Sequence, residues 1–289
     1  MDALVWKDRP VLRDPLVVAA FRGWNDGGQA ASLAATFLRD QIEAKPFCEI
    51  DPEEFYDFQE VRPHVALSEG MVRRIDWPEN VFSQGALPGG DRDCVVLIGI
   101  EPQNRWRTFS RAVMDVAEGV NASMVVTLGG LLQDTPHTRP VPVFTSAEPE
   151  MAERLGLEAS RYEGPTGIIG VLHDACRSAG IPSASLWAAV PHYIQVSPNP
   201  KAALALLRQL GEVAGDRFDT TNLSQAAVAF ERQVTQAVST DEEVSRYVRE
   251  LEERADDDVS DEIEEKATTD GEDIAAQIER FLAEREEAD

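Results

Sequence analysis

Cysteine and histidine are scarce in this chain of 289 residues, and both are scattered along it. The three cysteines, Cys48, Cys94 and Cys176, are odd in number and far apart. This excludes a disulfide scaffold or a zinc framework and is typical of a reducing cytoplasm. No two of the four histidines lie at metal-ligand spacing. We expect neither a metal nor an organic cofactor.

Basic residues are also few, because 27 Lys and Arg oppose 52 Asp and Glu, for a net charge of −25. Residues 241–289 hold 21 of these acids and 6 of the bases. Such a field repels phosphate backbones and anionic lipid, so we expect no nucleic-acid partner and no membrane partner. Neither an uninterrupted run of 18 apolar residues nor a signal-peptide pattern is present, which predicts a cytoplasmic protein.

The common catalytic and nucleotide-binding motifs are missing. The chain has no Gly-x-Ser-x-Gly elbow, no Gly-x-Gly-x-x-Gly turn and no Gly-Lys-Ser/Thr phosphate loop. We therefore assign no catalytic residue, and enzymatic activity is not expected from motifs alone.

Short continuous apolar runs alternate with amphipathic helical patterns. Runs without polar alternation indicate strands that are covered on both faces, as in parallel sheets. The sequence therefore predicts an α/β fold with a three-layer α/β/α core and a mostly parallel sheet. The predicted strands are Leu16–Phe21, Cys94–Ile100, Ser123–Leu128 and Ser185–Val190.

The predicted organisation has three parts. Residues 1–220 form the α/β core, with a β-hairpin insertion at about 51–77 that either adds to the sheet or projects from it. Residues 221–255 form a helical extension. Residues 256–289 form an acidic linker and a short amphipathic helix, which would dock either on the chain's own body or on a partner.

The sharpest local feature follows the first buried strand. The turn from Gly23 to Gly28 contains Asn25, Asp26 and Gly27 and leads directly into a helix. In an open α/β sheet, loops at this position form the ligand crevice, and backbone N–H groups there can hold an anion. The alternative is a tight turn in which Asn25 or Asp26 caps the helix.

A second polar group follows the next buried strand. Glu101, Arg105 and Trp106 lie at its mouth and could bind a sugar, a base or a peptide end. Alternatively, Glu101 and Arg105 pair with each other or with a neighbouring loop, while Trp106 packs under the helix. A third strand ends in Gly129 and Gly130, which would keep the crevice open.

Two further residues, His192 and Tyr193, follow the fourth strand and could complete the crevice. The loop Leu131–Pro140, which carries His137 and Arg139, could act as a flap. His173 lies beside the apolar stripe of its helix and is interpreted as structural.

Several short segments follow one another along the chain in a distinctive order. They are Gly23–Gly27, Gly99–Pro102, Gly164–Gly170, Ala179–Pro182, Val190–Tyr193 and Pro198–Ala203. Together they resemble the proteasome assembly chaperone family, its actinobacterial branch first and its archaeal branch more distantly. The resemblance spans about residues 1–255 and implies a phosphorylase- or hydrolase-like three-layer core, a helical C-terminal extension and cytoplasmic homo-oligomers. Some relatives assist or activate proteasomes, so a proteasome-related partner is implied.

Two functions of different classes follow. The first is a non-enzymatic, oligomeric protein-binding role like that of an assembly chaperone, with a two-fold or three-fold ring and hence a dimer or a trimer. The second is a small-molecule site for a nucleoside- or phosphate-like ligand, or an unrecognised hydrolase or transferase, at the strand-end crevice. There Glu101 would act as acid or base and Arg105 would hold an anion.

Overall fold

The buried apolar runs form the centre of an eight-stranded β-sheet. The computed structural model describes residues 3–68, 72–147, 151–153 and 164–257. The sheet order is β1-β3-β6-β7-β2-β8-β10-β9. Its strands are β1 (Leu4–Trp6), β2 (Leu16–Arg22), β3 (Lys45–Ile50), β6 (Val81–Ala86), β7 (Asp93–Ile100), β8 (Met124–Gln133), β9 (Val143–Ala147) and β10 (Ser183–Pro191).

The four predicted strands are the four central ones. Strands β7, β2, β8 and β10 are parallel neighbours, and Val17 of β2 pairs in register with Val95 on one side and Val125 on the other. The outer pairs β1–β3, β3–β6, β6–β7 and β9–β10 are antiparallel. Five of the eight strands therefore run in one direction.

Helices cover both faces of the sheet, which confirms the predicted three-layer α/β/α core. On one face, α1 and α4 pack on the sheet through small and aliphatic side chains, among them Ala31 and Leu207. On the other face, α2 and α3 pack against each other and the sheet, with Phe109 and Leu172 fully buried. Their bounds are α1 (Ala30–Gln41), α2 (Trp106–Gly119), α3 (Ile168–Ala179) and α4 (Pro200–Ala214).

Two strands lie outside the main sheet. Strands β4 (His64–Ser68) and β5 (Val72–Asp76) pair antiparallel as a two-stranded sheet of their own. The sequence left open whether the hairpin adds to the main sheet or projects from it. In the structure it does not extend the main sheet. A 3₁₀ turn at Pro52–Glu54 precedes it.

The chain continues into helices α5 (Thr221–Val238) and α6 (242–257). Helix α5 packs on α4 and buries Leu223, Ala227, Phe230 and Val234, while α6 buries Val248 and Leu251. The acidic linker and amphipathic helix were predicted for residues 256–289, of which 258–289 lie outside the described residues. Asp256 and Asp257 are the last residues of α6 rather than part of a linker. No helix in the described part of the chain is both long and apolar enough to cross a membrane.

Candidate functional site

The turn after β2 caps helix α1. Asp26 Oδ1 accepts hydrogen bonds from the backbone N–H groups of Ala31 at 2.9 Å and Ser32 at 3.1 Å. These are donors that the first turn of a helix leaves unpaired, so the carboxylate acts as a capping group. Burial raises the pKa of Asp26 above its ordinary value.

Gly27 and Gly130 let two backbones meet. Gly130 N–H donates to Asn25 O at 2.8 Å, which ties the turn after β2 to β8. A Cβ at Gly27 would lie 2.8 Å from Gly130 O, and a Cβ at Gly130 would lie 2.5 Å from Gly27 O. No side chain fits at either position, so these glycines serve the close approach of the turn after β2 to β8.

Glu101 lies at the centre of this edge. Its Oε1 accepts hydrogen bonds from Asn25 Nδ2 at 2.8 Å and from Ile168 N–H at 3.0 Å. A Cβ at Gly167 would lie 2.7 Å from Asn25 Oδ1 and 3.0 Å from Glu101 Oε1. A carboxylate of the chain itself therefore occupies the N-terminus of α3, where an anionic ligand would be favoured.

Arg105 and Trp106 are turned to other partners. Arg105 Nη1 lies 2.5 Å from Glu54 Oε2 in the segment before the hairpin, and Trp106 Nε1 donates to Pro102 O at 2.6 Å. The grouping of Arg105 with Glu101 as an anion site is therefore not formed. Arg105 instead pairs with a neighbouring loop, which is the alternative that the sequence left open.

The segment of residues 51–61 covers the end of β7. Phe55 O accepts from Gln103 N–H and Asn104 N–H, and the Tyr56 hydroxyl donates to Ile100 O at 2.6 Å. Asn80 Nδ2 donates in turn to the Tyr56 hydroxyl at 2.7 Å. Sequence reasoning missed this cover, because the segment shows neither helical nor strand periodicity.

His192 and Tyr193 face the C-terminal helices. The Tyr193 hydroxyl accepts from His137 N–H at 2.9 Å and bonds to His137 Nδ1 at 2.8 Å, while His137 Nε2 lies 3.1 Å from Thr235 Oγ1 on α5. His192 Nδ1 lies 3.1 Å from Asp134 Oδ1. Burial raises the pKa of Tyr193 to about 12. The polar partners of these two residues are therefore His137 and Asp134 rather than Asn25 or Glu101.

The loop Leu131–Pro140, which was expected to act as a flap, contacts the C-terminal helices. Strand β8 continues to Gln133, so the loop is shorter than predicted. His137 is buried, and its pKa is lowered by that burial and by nearby Lys201. Arg139 pairs with Asp256 at 2.7 Å and with Glu252 at 3.7 Å. The interpretation of the loop as a free flap over a crevice is therefore wrong, because its polar side chains bond to α5 and α6.

His173 bonds to two hydroxyl groups inside the fold, in agreement with its interpretation as a structural residue. Its Nε2 lies 2.9 Å from Thr127 Oγ1 and its Nδ1 lies 2.8 Å from Ser183 Oγ. Gly129 is also structural, because a Cβ there would lie 2.4 Å from the Trp187 ring. Among the residues that the structure describes, no group of three His, Cys, Asp or Glu is placed to hold a metal ion.

A cleft of about 610 Å³ is lined by residues of α1 and of the strands β3, β6 and β7. Its lining includes none of the predicted site residues. The cations on its walls are Lys7, Arg22 and Arg39, of which Lys7 pairs with Glu49 and Arg39 pairs with Asp40. No sequence pattern predicted this cleft, because its lining comes from separate elements.

The fold and this edge define the class of protein: a three-layer α/β/α protein in which a carboxylate at the strand ends, Glu101, bonds to Asn25 and to the start of α3. The PAC2 family model matches residues 20–238, and the chain belongs to the PAC2 family.

Solved structures agree with this assignment. A PAC2 family protein from Streptomyces avermitilis is 45% identical, with a TM-score of 0.75, over 81% of this chain and 100% of that one. A proteasome-assembly chaperone homologue from Mycobacterium tuberculosis is 46% identical, with a TM-score of 0.74, over 81% and 99%. An archaeal proteasome activator from Pyrococcus furiosus, 20% identical over 82% and 99%, shares the fold with a TM-score of 0.64. The comparison with functionally curated proteins found no match.

Proposed function

We propose that this protein is a non-enzymatic, homo-oligomeric protein-binding protein of the cytoplasm, with an assembly-chaperone-like role toward proteasome subunits. The observation that carries the proposal is the position of Glu101. Its carboxylate bonds to Asn25 and Ile168 at the place where an α/β enzyme would bind a ligand anion. The polar groups of this edge therefore hold the fold together, which favours recognition by the outer surface.

The relatives support the same role. The Mycobacterium tuberculosis structure, at 46% identity, is described as a proteasome-assembly chaperone homologue. The more distant Pyrococcus furiosus structures are described as a proteasome activator and as a homologue of a proteasome-assembly chaperone. A shared role toward the proteasome is the simplest function that unites these descriptions with this chain.

In this proposal the core (residues 1–220) and the helical extension (221–255) form one platform. Three contacts join them: Tyr193 and His137 to Thr235, Lys201 to Glu231, and Arg139 to Glu252. In this proposal the acidic residues that follow the platform bind a partner. A trimer is the assembly that we propose for the complete chain.

The proposal is tested by the rate of proteasome assembly. Purified α and β subunits from the same organism are mixed with and without the full chain, and native gels follow half-proteasomes and complete proteasomes over time. We expect faster formation of complete particles, with the chain bound to an intermediate. Unchanged kinetics, together with no co-migration, would contradict the proposal. A Val11→Lys variant, changed at a fully exposed site, should act like the wild type.

A small-molecule site is the second candidate, and the cleft on the α1 face is the observation that favours it. Three cations, Lys7, Arg22 and Arg39, line it together with the carboxylates Glu49 and Glu79, in a chain of charge −25. A nucleoside- or phosphate-like anion is the ligand class that fits. Thermal unfolding in the presence of nucleotides and sugar phosphates tests it, because a ligand at 100 times its Kd stabilises by about 2.7 kcal/mol. The Arg22→Ala variant should lose that stabilisation.

A further inference from the structure

The loop of residues 134–139 joins the core to both C-terminal helices. At its centre lies His137, which is 4% exposed. The two residues that follow contact helix α6, because the Thr138 hydroxyl donates to Glu252 and Arg139 pairs with the same carboxylate at 3.7 Å. A change at His137 therefore acts on the residues that hold α6.

The hydrogen bonds of the His137 ring require its neutral form. Thr235 Oγ1 donates its own hydrogen to Glu231 O at 2.8 Å, so it accepts from His137 Nε2–H at 3.1 Å. The other ring nitrogen, Nδ1, then accepts from the Tyr193 hydroxyl at 2.8 Å. A second ring proton would lie on Nδ1 and face the hydroxyl hydrogen of Tyr193, which would lose its acceptor.

The charged groups around the ring also oppose a proton there. Lys201 of α4 donates to His137 O and pairs with Glu231 of α5. Glu252 of α6 pairs with Arg139. In the described part of the chain, the two carboxylates that face the ring thus already have a cation beside them. A charged imidazolium would add a further cation next to the Lys201 ammonium, in a buried position that disfavours charge.

Helix α6 is held less firmly than helix α5. Helix α5 packs on α4 and buries four side chains. Helix α6 buries two, Val248 and Leu251, and is joined to the loop by the polar contacts of Thr138 and Arg139. A helix with few buried apolar side chains opens at a low cost in free energy. Helix α6 can therefore separate while α5 stays packed on α4.

We propose that His137 is a pH-sensitive switch: when its ring takes up a proton, the loop of residues 134–139 leaves its contacts and α6 separates from the core, while α5 stays in place. The switch goes beyond the proposed function, because it needs neither an oligomer nor a proteasome subunit.

The direction of the switch follows from the two states of the ring. Burial lowers the pKa of His137 in the docked loop, and Lys201 lowers it further, whereas an exposed ring has a pKa of about 6.5. The released loop therefore binds a proton that the docked loop excludes. As the pH falls below 6.5, the ratio of released to docked chains rises by up to about tenfold per pH unit.

A second imidazole beside the loop acts in the opposite sense. His192 Nδ1 lies 3.1 Å from Asp134 Oδ1, and the His192 ring lies 5.7 Å from the ring of Tyr247 on α6. A proton on His192 strengthens its attraction to Asp134 and so holds the start of the loop in place. Substitution of each histidine in turn therefore separates the two effects.

Distances between pairs of spin labels test the switch. The three native cysteines are buried, so introduced exposed cysteines take the labels. One pair joins α4 to α6 through Arg208→Cys and Glu250→Cys, and a control pair joins α4 to α5 through Arg208→Cys and Val228→Cys. From pH 7.5 to pH 5.5 we expect the population with a longer α4–α6 distance to grow by up to about tenfold. The α4–α5 distance should not change.

Two variants assign the effect to one ring. His137→Gln keeps a donor for Thr235 and an acceptor for the Tyr193 hydroxyl but does not titrate, so its α4–α6 distance should be the same at both pH values. His192→Gln removes the other imidazole and should still release α6 in acid.

Several results would overturn the switch. An α4–α6 distance that is the same at both pH values in the otherwise unchanged chain would show that α6 is not released. Equal release in His137→Gln, or lost release in His192→Gln, would assign the effect to another group. The second of these variants keeps the assignment testable if the first does not fold. An α4–α5 distance that changes as much as the α4–α6 distance would show general unfolding instead.

Discussion

The side-chain amide of Asn25 donates a 2.8 Å hydrogen bond to Glu101 Oε1, although 76 positions separate the two residues. The same oxygen accepts from Ile168 N–H at 3.0 Å, so one carboxylate joins the turn after β2, the end of β7 and the start of α3. A ligand anion would occupy this place in many layered α/β proteins. In this protein the anion belongs to the chain, so recognition is expected on other surfaces.

Replacing Glu101 tests its structural role. Glu101→Ala leaves the Asn25 amide and the Ile168 N–H without their acceptor, and we expect a loss of about 2 to 4 kcal/mol in the free energy of unfolding. Glu101→Gln keeps an acceptor and loses only the charge at the start of α3, for about 1 kcal/mol. Urea denaturation measures both. Glu118→Gln, at an exposed site on α2, is the control and should leave the midpoint unchanged. A Glu101→Ala protein as stable as the wild type would contradict this role.

Two glycines should respond to alanine with opposite signs. A Cβ at Gly130 meets Gly27 O at 2.5 Å, and backbone cannot move aside cheaply, so Gly130→Ala should destabilise the fold by about 1 to 3 kcal/mol. A Cβ at Gly119, at the end of α2, meets only the Trp6 ring at 3.7 Å. There alanine should stabilise the helix by up to about 1 kcal/mol. Thermal unfolding measures the Tm of both variants. Equal shifts in Tm would contradict the argument that Gly130 is needed for the close approach of the two backbones.

Stability should fall in mild acid because of His173. Burial lowers the pKa of His173 to about 4, below the value of about 6.5 expected in the unfolded chain. Below pH 6.5 the unfolded state therefore binds more protons, so stability decreases as the pH falls toward 4.

We expect the free energy of unfolding to fall by about 2 kcal/mol from pH 7 to pH 5, measured by urea denaturation at each pH. His173→Gln removes the titrating ring, so the variant should lose that much less than the wild type over the same interval. Identical pH dependence in the two proteins would show that His173 is not a buried neutral ring.

The Tyr193 hydroxyl should control the docking of the C-terminal helices. Tyr193→Phe leaves the buried His137 N–H and ring nitrogen without a partner, at a cost of about 1 to 3 kcal/mol. Since His137 also bonds to Thr235, we expect Tyr193→Phe to accelerate amide hydrogen exchange more in α5 and α6 than in β2 or β8. Val228→Ala, exposed on α5, is the matched control. An equal acceleration of exchange in all the measured helices and strands would contradict a local role of Tyr193 in holding α5 and α6.

The central sheet could be predicted because its strands are covered on both faces. Burial on both sides selects continuous apolar runs, and Leu16–Arg22 and Asp93–Ile100 show them clearly. The edge strands carry no such signal. Strand β3, which begins with exposed Lys45 and Pro46, and the half-exposed β9 look like loops in the sequence.

The candidate site was harder to predict, because residue types at strand ends do not fix their partners. Asp26 was recognised as either a ligand group or a helix cap, and only three-dimensional contacts identify it as the cap. Arg105 could not be assigned to Glu54 from sequence, since 51 positions separate them and no periodicity links them. Tertiary pairing decides such positions, and local pattern does not.

Native mass spectrometry of the full chain with purified proteasome α and β subunits tests the central claim most directly. The account predicts a homo-oligomer of the chain alone and, in the mixture, a new mass that contains both the chain and a proteasome subunit. A chain that stays at its own mass in every mixture, with no subunit bound, would contradict the account.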